Sequence, residues 1–106
     1  MKFLANMDEF NACMSEAGDK AVVIDFTATW CPPCQRIGPI FEAMSGEAEF
    51  ASVVTCKVDV DAAADVSGHV GIRCMPTFIV FKGGKEVERM EGASDAGLRA
   101  ILTKYK

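Results

Sequence analysis

Val22-Val23-Ile24-Asp25-Phe26-Thr27 runs through Ala28-Thr29-Trp30 into Cys31-Pro32-Pro33-Cys34. The first part, with Ala21, is a near-continuous apolar run, the pattern of a parallel strand covered on both faces. Ile37, Ile40, Phe41 and Met44 then recur at helical spacing, so a helix follows the strand. Pro32 and Pro33 fit its first turn, where backbone N–H groups have no helical partner. Pro39 lies inside the stripe and is expected to kink the helix. Two thiols three positions apart therefore stand at a strand-to-helix junction. Cys31 meets free N–H groups and the positive end of the helix dipole, both of which favour a thiolate. Cys34 lies one turn inside, close enough to close a short disulfide ring. The pair points to reversible disulfide chemistry. A zinc half-site is the alternative, but it needs two more ligands, and the chain has neither a second C-x-x-C nor paired histidines.

Outward from this junction the remaining elements follow from periodicity. Lys2–Ala5 reads as a short first strand. Asn6, with Glu9 three positions later, opens a helix through Met7, Phe10, Met14 and Ala17 that Gly18 ends. Val53–Val60 is a third strand after Ala21–Thr27, and Asp61–Val70 is a short, weakly patterned helix. Thr77–Phe81 and Lys85–Glu91 form a hairpin around Gly83-Gly84. Ser94 caps a last helix with Leu98, Ile101, Leu102 and Tyr105 on one face. The order β-α-β-α-β-α-β-β-α, with right-handed crossovers, predicts an α/β fold: a mixed sheet flanked by helices.

The length of 106 residues makes one domain, 1–106, and 50% hydrophobic residues suffice for a core. A net charge of −4 carries no footprint for nucleic acid or an anionic membrane. No apolar run approaches a membrane span, and Phe3-Leu4-Ala5 is too short for a secretory signal. The 5 cysteines are odd in number and three are scattered singly, unlike a secreted disulfide framework. A reducing, cytoplasmic compartment is expected.

Five segments, in this order, carry a resemblance over essentially the whole chain. They are Val-Ile-Asp-Phe-Thr-Ala-Thr-Trp-Cys at 23–31, Lys-Val-Asp-Val-Asp at 57–61, Cys-Met-Pro-Thr-Phe at 74–78, Lys-Gly-Gly at 82–84 and Glu-Gly-Ala-Ser at 91–94. Together they resemble the thioredoxin family. The resemblance implies a central mixed five-stranded sheet flanked by four helices, and a protein-disulfide reductase. It implies no bound cofactor, only a redox-active Cys31–Cys34 disulfide, with NADPH acting through a partner, thioredoxin reductase. Clients would be disulfide-containing proteins such as peroxiredoxins or ribonucleotide reductase. The chain would act as a monomer, or as a dimer linked through Cys74. One departure stands out: the family motif has Gly where this chain has Pro32. A Pro-Pro pair is similar to tryparedoxins and nucleoredoxins, so an electron carrier to peroxidases is an alternative. A non-catalytic binding subunit is another.

The roles follow from residue chemistry and the resemblance together. Cys31 is the expected nucleophile and Cys34 the resolving thiol. Asp25 interrupts an apolar strand; burial should raise its pKa, and the resemblance sets it beneath Cys34 as proton acceptor. Lys57 on the next strand either modulates Asp25 or is exposed. Met75-Pro76 matches the family's cis-proline loop, with Met75 offering its backbone to an extended client. Gly92 and Ala93 would line the same groove, and Trp30, Pro32 and Pro33 its rim. Pro32 stiffens the turn and is expected to make the couple somewhat more oxidising. Cys74 should sit beside the site, open to modification. Cys13 and Cys56 read as packed thiols. Arg36, His69 and the carboxylates Asp59, Asp61 and Asp65 read as solvated surface.

Overall fold

In the computed structural model, which describes residues Met1–Lys106, the apolar run before the two cysteines lies at the centre of the molecule. Five strands, β1 (Lys2–Phe3), β2 (Val22–Thr27), β3 (Val54–Asp59), β4 (Thr77–Lys82) and β5 (Lys85–Glu91), form one sheet in the order β1-β3-β2-β4-β5. β1, β3 and β2 are parallel, β4 is antiparallel to β2, and β5 is antiparallel to β4. Four helices flank the sheet: α1 (Met7–Ala17), α2 (Pro32–Ser45), α3 (Ala64–Val70) and α4 (Asp95–Tyr105). This is the expected mixed five-stranded sheet with four helices.

Every side chain of β2 from Val22 to Phe26 is buried, because the strand is covered on both faces. Its period of two divides the core. Val22, Ile24 and Phe26 join Phe10, Cys56 and Val66 on the side of α1 and α3. Val23 joins Ile37, Phe41, Phe78 and Leu98 on the side of α2 and α4. Asp25 alternates with Val23 and shares its face, so the one acid of the strand points toward the helix that carries the cysteines.

The helix ends follow the predicted caps. The Asn6 side chain accepts the Glu9 N–H at 3.0 Å, and the Glu9 carboxylate accepts the Ala5 N–H at 3.0 Å. Ser94 Oγ accepts the Gly97 N–H at 3.0 Å. Asn6→Ala leaves an N–H of α1 unpaired and is expected to lower stability by about 1 kcal/mol. The midpoint of denaturant unfolding reads this directly, and an unchanged midpoint would show the cap to be idle.

Two boundaries differ from expectation. β1 stops at Phe3, because the Ala5 N–H goes to Glu9, although Leu4 still donates to the Lys57 carbonyl at 2.9 Å. α3 begins at Ala64 rather than Asp61, since the Asp59 carboxylate accepts the N–H groups of Asp61 (2.9 Å) and Ala62 (3.2 Å) and holds a turn there. α2 continues through Pro39 to Ser45 as one helix. Pro39 is exposed, so solvent can satisfy the carbonyl that lacks its N–H partner. A 3-10 turn at Ala48–Phe50, which periodicity did not reveal, sets Phe50 in the core.

Candidate active site

The site is built where β2 ends and α2 begins. The Ala28 carbonyl accepts the Cys31 N–H at 3.3 Å and the Gln35 side-chain amide at 2.8 Å, bracing the loop between them. Cys31 is the N-cap of α2, in extended conformation. Pro32 and Pro33 fill the first two helical positions and supply no N–H. The Cys34 N–H is therefore the first donor the helix offers, and it points to Cys31 Sγ at 3.3 Å. A sulfur anion at Cys31 would receive both that hydrogen bond and the helix dipole. The two sulfurs are joined in a disulfide with Cα atoms 5.3 Å apart, so this is the oxidised state.

Cys31 and Cys34 are buried against Ala28, with the half-buried Val60 and Met75 packed beside them. Cys31 Sγ lies 3.9 Å from the Met75 carbonyl oxygen. The Met75-Pro76 bond is cis. The Pro76 carbonyl accepts the Gly92 N–H at 2.9 Å, and Gly92 has φ +105°, a conformation that side chains resist. The Ala93 carbonyl accepts from Arg36 Nη2 at 2.8 Å, and Arg36 Nη1 pairs with Asp95 at 2.9 Å. One arginine of α2 thus ties the turn before α4 to the helix of the cysteines. Trp30 is 64% exposed, and its indole N–H donates to Asp61 at 2.8 Å. The ring is an apolar face held upright by a polar pin. Pro32 and Pro33 are exposed beside it, and Cys74 has an exposed thiol next to Met75.

Asp25 is 0% exposed, and neither carboxylate oxygen has a hydrogen-bond partner. Its register neighbours are Lys57 on β3 and Phe78 on β4. Burial pushes its pKa up from 3.8 to about 7, the Lys57 charge works against the rise and Glu42 adds to it. Lys57 is mostly buried, with Nζ 3.6 Å from the Glu42 carboxylate. Lys57 thus stands beside the acid rather than in solvent. A cleft of ≈ 220 Å³ opens next to Cys34, with Gly38, Glu42 and Lys57 in its wall.

Four contributors escaped the sequence reading. Asp61 and Arg36 were expected as solvated surface, yet Asp61 pins Trp30, and Arg36 clamps Ala93 and Asp95. Gln35 braces Ala28, and Glu42 holds Lys57. Three of these contacts span 15 to 59 positions, so no local pattern announces them. His69 is exposed as expected, its ring edge-to-face with Phe10 at 6.0 Å. No three His, Cys, Asp or Glu side chains converge on a point that could hold a metal, and no helix is long and apolar enough to cross a membrane.

Comparison with known proteins agrees with this geometry. The thioredoxin family model matches residues 2–104. Thioredoxin of Ictalurus punctatus is 50% identical over 103 residues, 97% of this chain and 96% of its own. Thioredoxin of Gallus gallus is 44% identical over 102 residues, 96% of this chain and 95% of its own. Among solved structures, Fasciola hepatica thioredoxin superposes with a TM-score of 0.94 at 37% identity, covering 100% of both chains. Malassezia sympodialis thioredoxin gives 0.92 at 42% identity, covering 98% of this chain and 91% of its own.

Proposed function

The chain belongs to the thioredoxin family and is a protein-disulfide reductase that works through its own Cys31–Cys34 pair; we propose that Cys31 attacks, Cys34 resolves and Asp25 takes the proton. The observation that carries this division is the cap of α2, where the Cys34 N–H faces Cys31 Sγ at 3.3 Å. In the reduced protein the Cys31 thiolate attacks one sulfur of a client disulfide. That S–S bond breaks, a mixed disulfide forms, and the first client sulfur leaves as a thiolate. Cys34 passes its proton to the Asp25 carboxylate and attacks Cys31 Sγ. The mixed disulfide breaks, the Cys31–Cys34 bond forms, and the second client thiolate departs. Two electrons have passed to the client.

Asp25 suits its part because an unpartnered carboxyl with a pKa of about 7 is divided between its two forms near neutral pH. Lys57 tunes it through charge. Clients lie as an extended strand along Met75 and Pro76, with Gly92 and Ala93 on the far side and Trp30, Pro32 and Pro33 as the apolar rim. Pro32, in place of the family's glycine, makes a Cys-Pro-Pro-Cys variant whose turn is stiffer. Cys74, exposed beside Met75, is the thiol through which two copies would link. The upstream donor is thioredoxin reductase with NADPH, in a reducing cytoplasm.

The test is insulin disulfide reduction with NADPH and thioredoxin reductase, set beside Pro32→Gly. Steady turnover supports the assignment, and the variant measures what the second proline does. Activity with a chemical dithiol but none with the reductase would reassign the protein to a specialised carrier with another donor. Trp30→Ala removes the apolar face while leaving the sulfurs in place. It is expected to raise KM for insulin about tenfold, the equivalent of one lost aromatic contact, and to leave reduction of a small disulfide such as cystine nearly unchanged. Equal losses on both substrates would mean that Trp30 shapes the dithiol rather than the rim.

A further inference from the structure

We propose that Cys13 on α1 and Cys56 on β3 are a second redox site, a buried dithiol that hydrogen peroxide closes to a disulfide. Their Sγ atoms lie 3.5 Å apart although the residues are 43 positions apart in the chain. Cys13 is 7% exposed and Cys56 2%. Both belong to the apolar cluster with Leu4, Phe10, Ile24 and Phe81, not to the one that holds Cys31 and Cys34. Packing alone accounts for a buried thiol, since cysteine behaves as a small apolar residue. It does not account for two thiols brought into sulfur–sulfur contact from different elements. A disulfide needs sulfurs at about 2.05 Å, so closure asks them to approach by about 1.5 Å through side-chain rotation.

The two thiols are also unlike. With Cys13 ionised, the Cys56 S–H donates to its Sγ and steadies the anion, holding Cys13 below the usual thiol range, with the Lys2 charge helping. The same contact and deeper burial push Cys56 well up. Cys13, the less enclosed of the two, is thus the nucleophile, and Cys56 stays protonated until its partner is oxidised. The Cys13 thiolate attacks one oxygen of peroxide; the O–O bond breaks, and the departing hydroxide gains a proton as water. Cys13 is now a sulfenic acid. Cys56 attacks that sulfur, the S–S bond forms, the S–O bond breaks, and the leaving oxygen takes the Cys56 proton as a second water. Two thiols have lost two electrons and one peroxide has gained them. Hydrogen peroxide is small enough to reach sulfurs within this apolar cluster. The product fastens α1 to the sheet across 43 positions.

The full-length Cys31→Ser/Cys34→Ser/Cys74→Ser variant retains only this pair. After peroxide, its intact mass should fall by two hydrogen atoms, both thiols should be lost to alkylation together, and a peptide digest should show Cys13 linked to Cys56. Cys13→Ser added to that variant should keep Cys56 alkylatable after unfolding. The unsubstituted protein, treated and digested alike, should show the same cross-link beside Cys31–Cys34, which keeps the test valid should the variant fold poorly. Gain of oxygen atoms without a cross-link, loss of one thiol alone, or two thiols still free after peroxide would each overturn the proposal.

Discussion

Cys31→Ser is expected to abolish insulin reduction, with turnover falling by more than about 10³-fold, because a hydroxyl at this cap cannot replace a thiolate as nucleophile. Cys34→Ser should lose steady turnover equally but keep the first attack. It should therefore accumulate mixed disulfides with its clients, visible as adducts on a non-reducing gel and released by dithiol. The asymmetry comes from the cap. The Cys34 N–H faces Cys31 Sγ, while the two prolines between them supply no other donor. Alkylation by iodoacetamide at pH 7 should accordingly modify Cys31 well before Cys34. Adducts that persist with Cys31→Ser and not with Cys34→Ser would reverse the two roles.

Asp25→Asn should have two large effects of opposite sign. Activity comes first. Without a carboxylate, Cys34 must release its proton to solvent, and resolution of the mixed disulfide should slow by about 10²-fold at pH 7. The inflection near pH 7 in the single-turnover rate should vanish with it. A pH–rate profile identical to that of the unsubstituted protein would remove Asp25 from the mechanism.

Stability comes second. The acid titrates at about 7 when folded against 3.8 as a model group. Below pH 4 it is protonated in both states and costs nothing. Between pH 4 and 7 the unfolded chain releases this proton more readily, so the group destabilises the fold progressively as pH rises, and fully above pH 7. Three pKa units correspond to about 4 kcal/mol at pH 8. Asp25→Asn should recover much of that at pH 8, little at pH 4, and flatten stability between them in denaturant titrations. A variant less stable at pH 8 would mean that the carboxylate is satisfied in solution. If both effects are seen, the buried acid is a stability cost retained for proton transfer.

The elements that the sequence showed clearly are those written in local periodicity. The unbroken apolar run of β2 required cover on both faces, and all of Val22–Phe26 is buried. Asn6 and Ser94 announced helix starts because a cap bonds to a residue three positions away. Side-chain contacts that compete with backbone pairing, or that join distant segments, were harder to read. The start of α3 depended on the Asp59 side chain competing for backbone N–H groups, which weak patterning at Asp61–Ala63 does not reveal. The resemblance set Gly92 in the groove beside Pro76, but no local pattern announces the backbone hydrogen bond that joins them.

The chain order of strand, two cysteines and helix determined by itself that a dithiol stands at a helix N-terminus, since that arrangement needs only backbone geometry over a dozen residues. It also determined that Asp25 would be enclosed, because an acid within a strand covered on both faces has no route to water. Only the tertiary structure decided what these groups meet. It set Lys57 beside Asp25 by strand register, pinned Trp30 to Asp61, tied Ala93 to α2 through Arg36, and brought Cys13 against Cys56. Each of these depends on strand register or on how crossovers bring loops and helices against the sheet, and side-chain contacts between elements carry no local period from which they could be read.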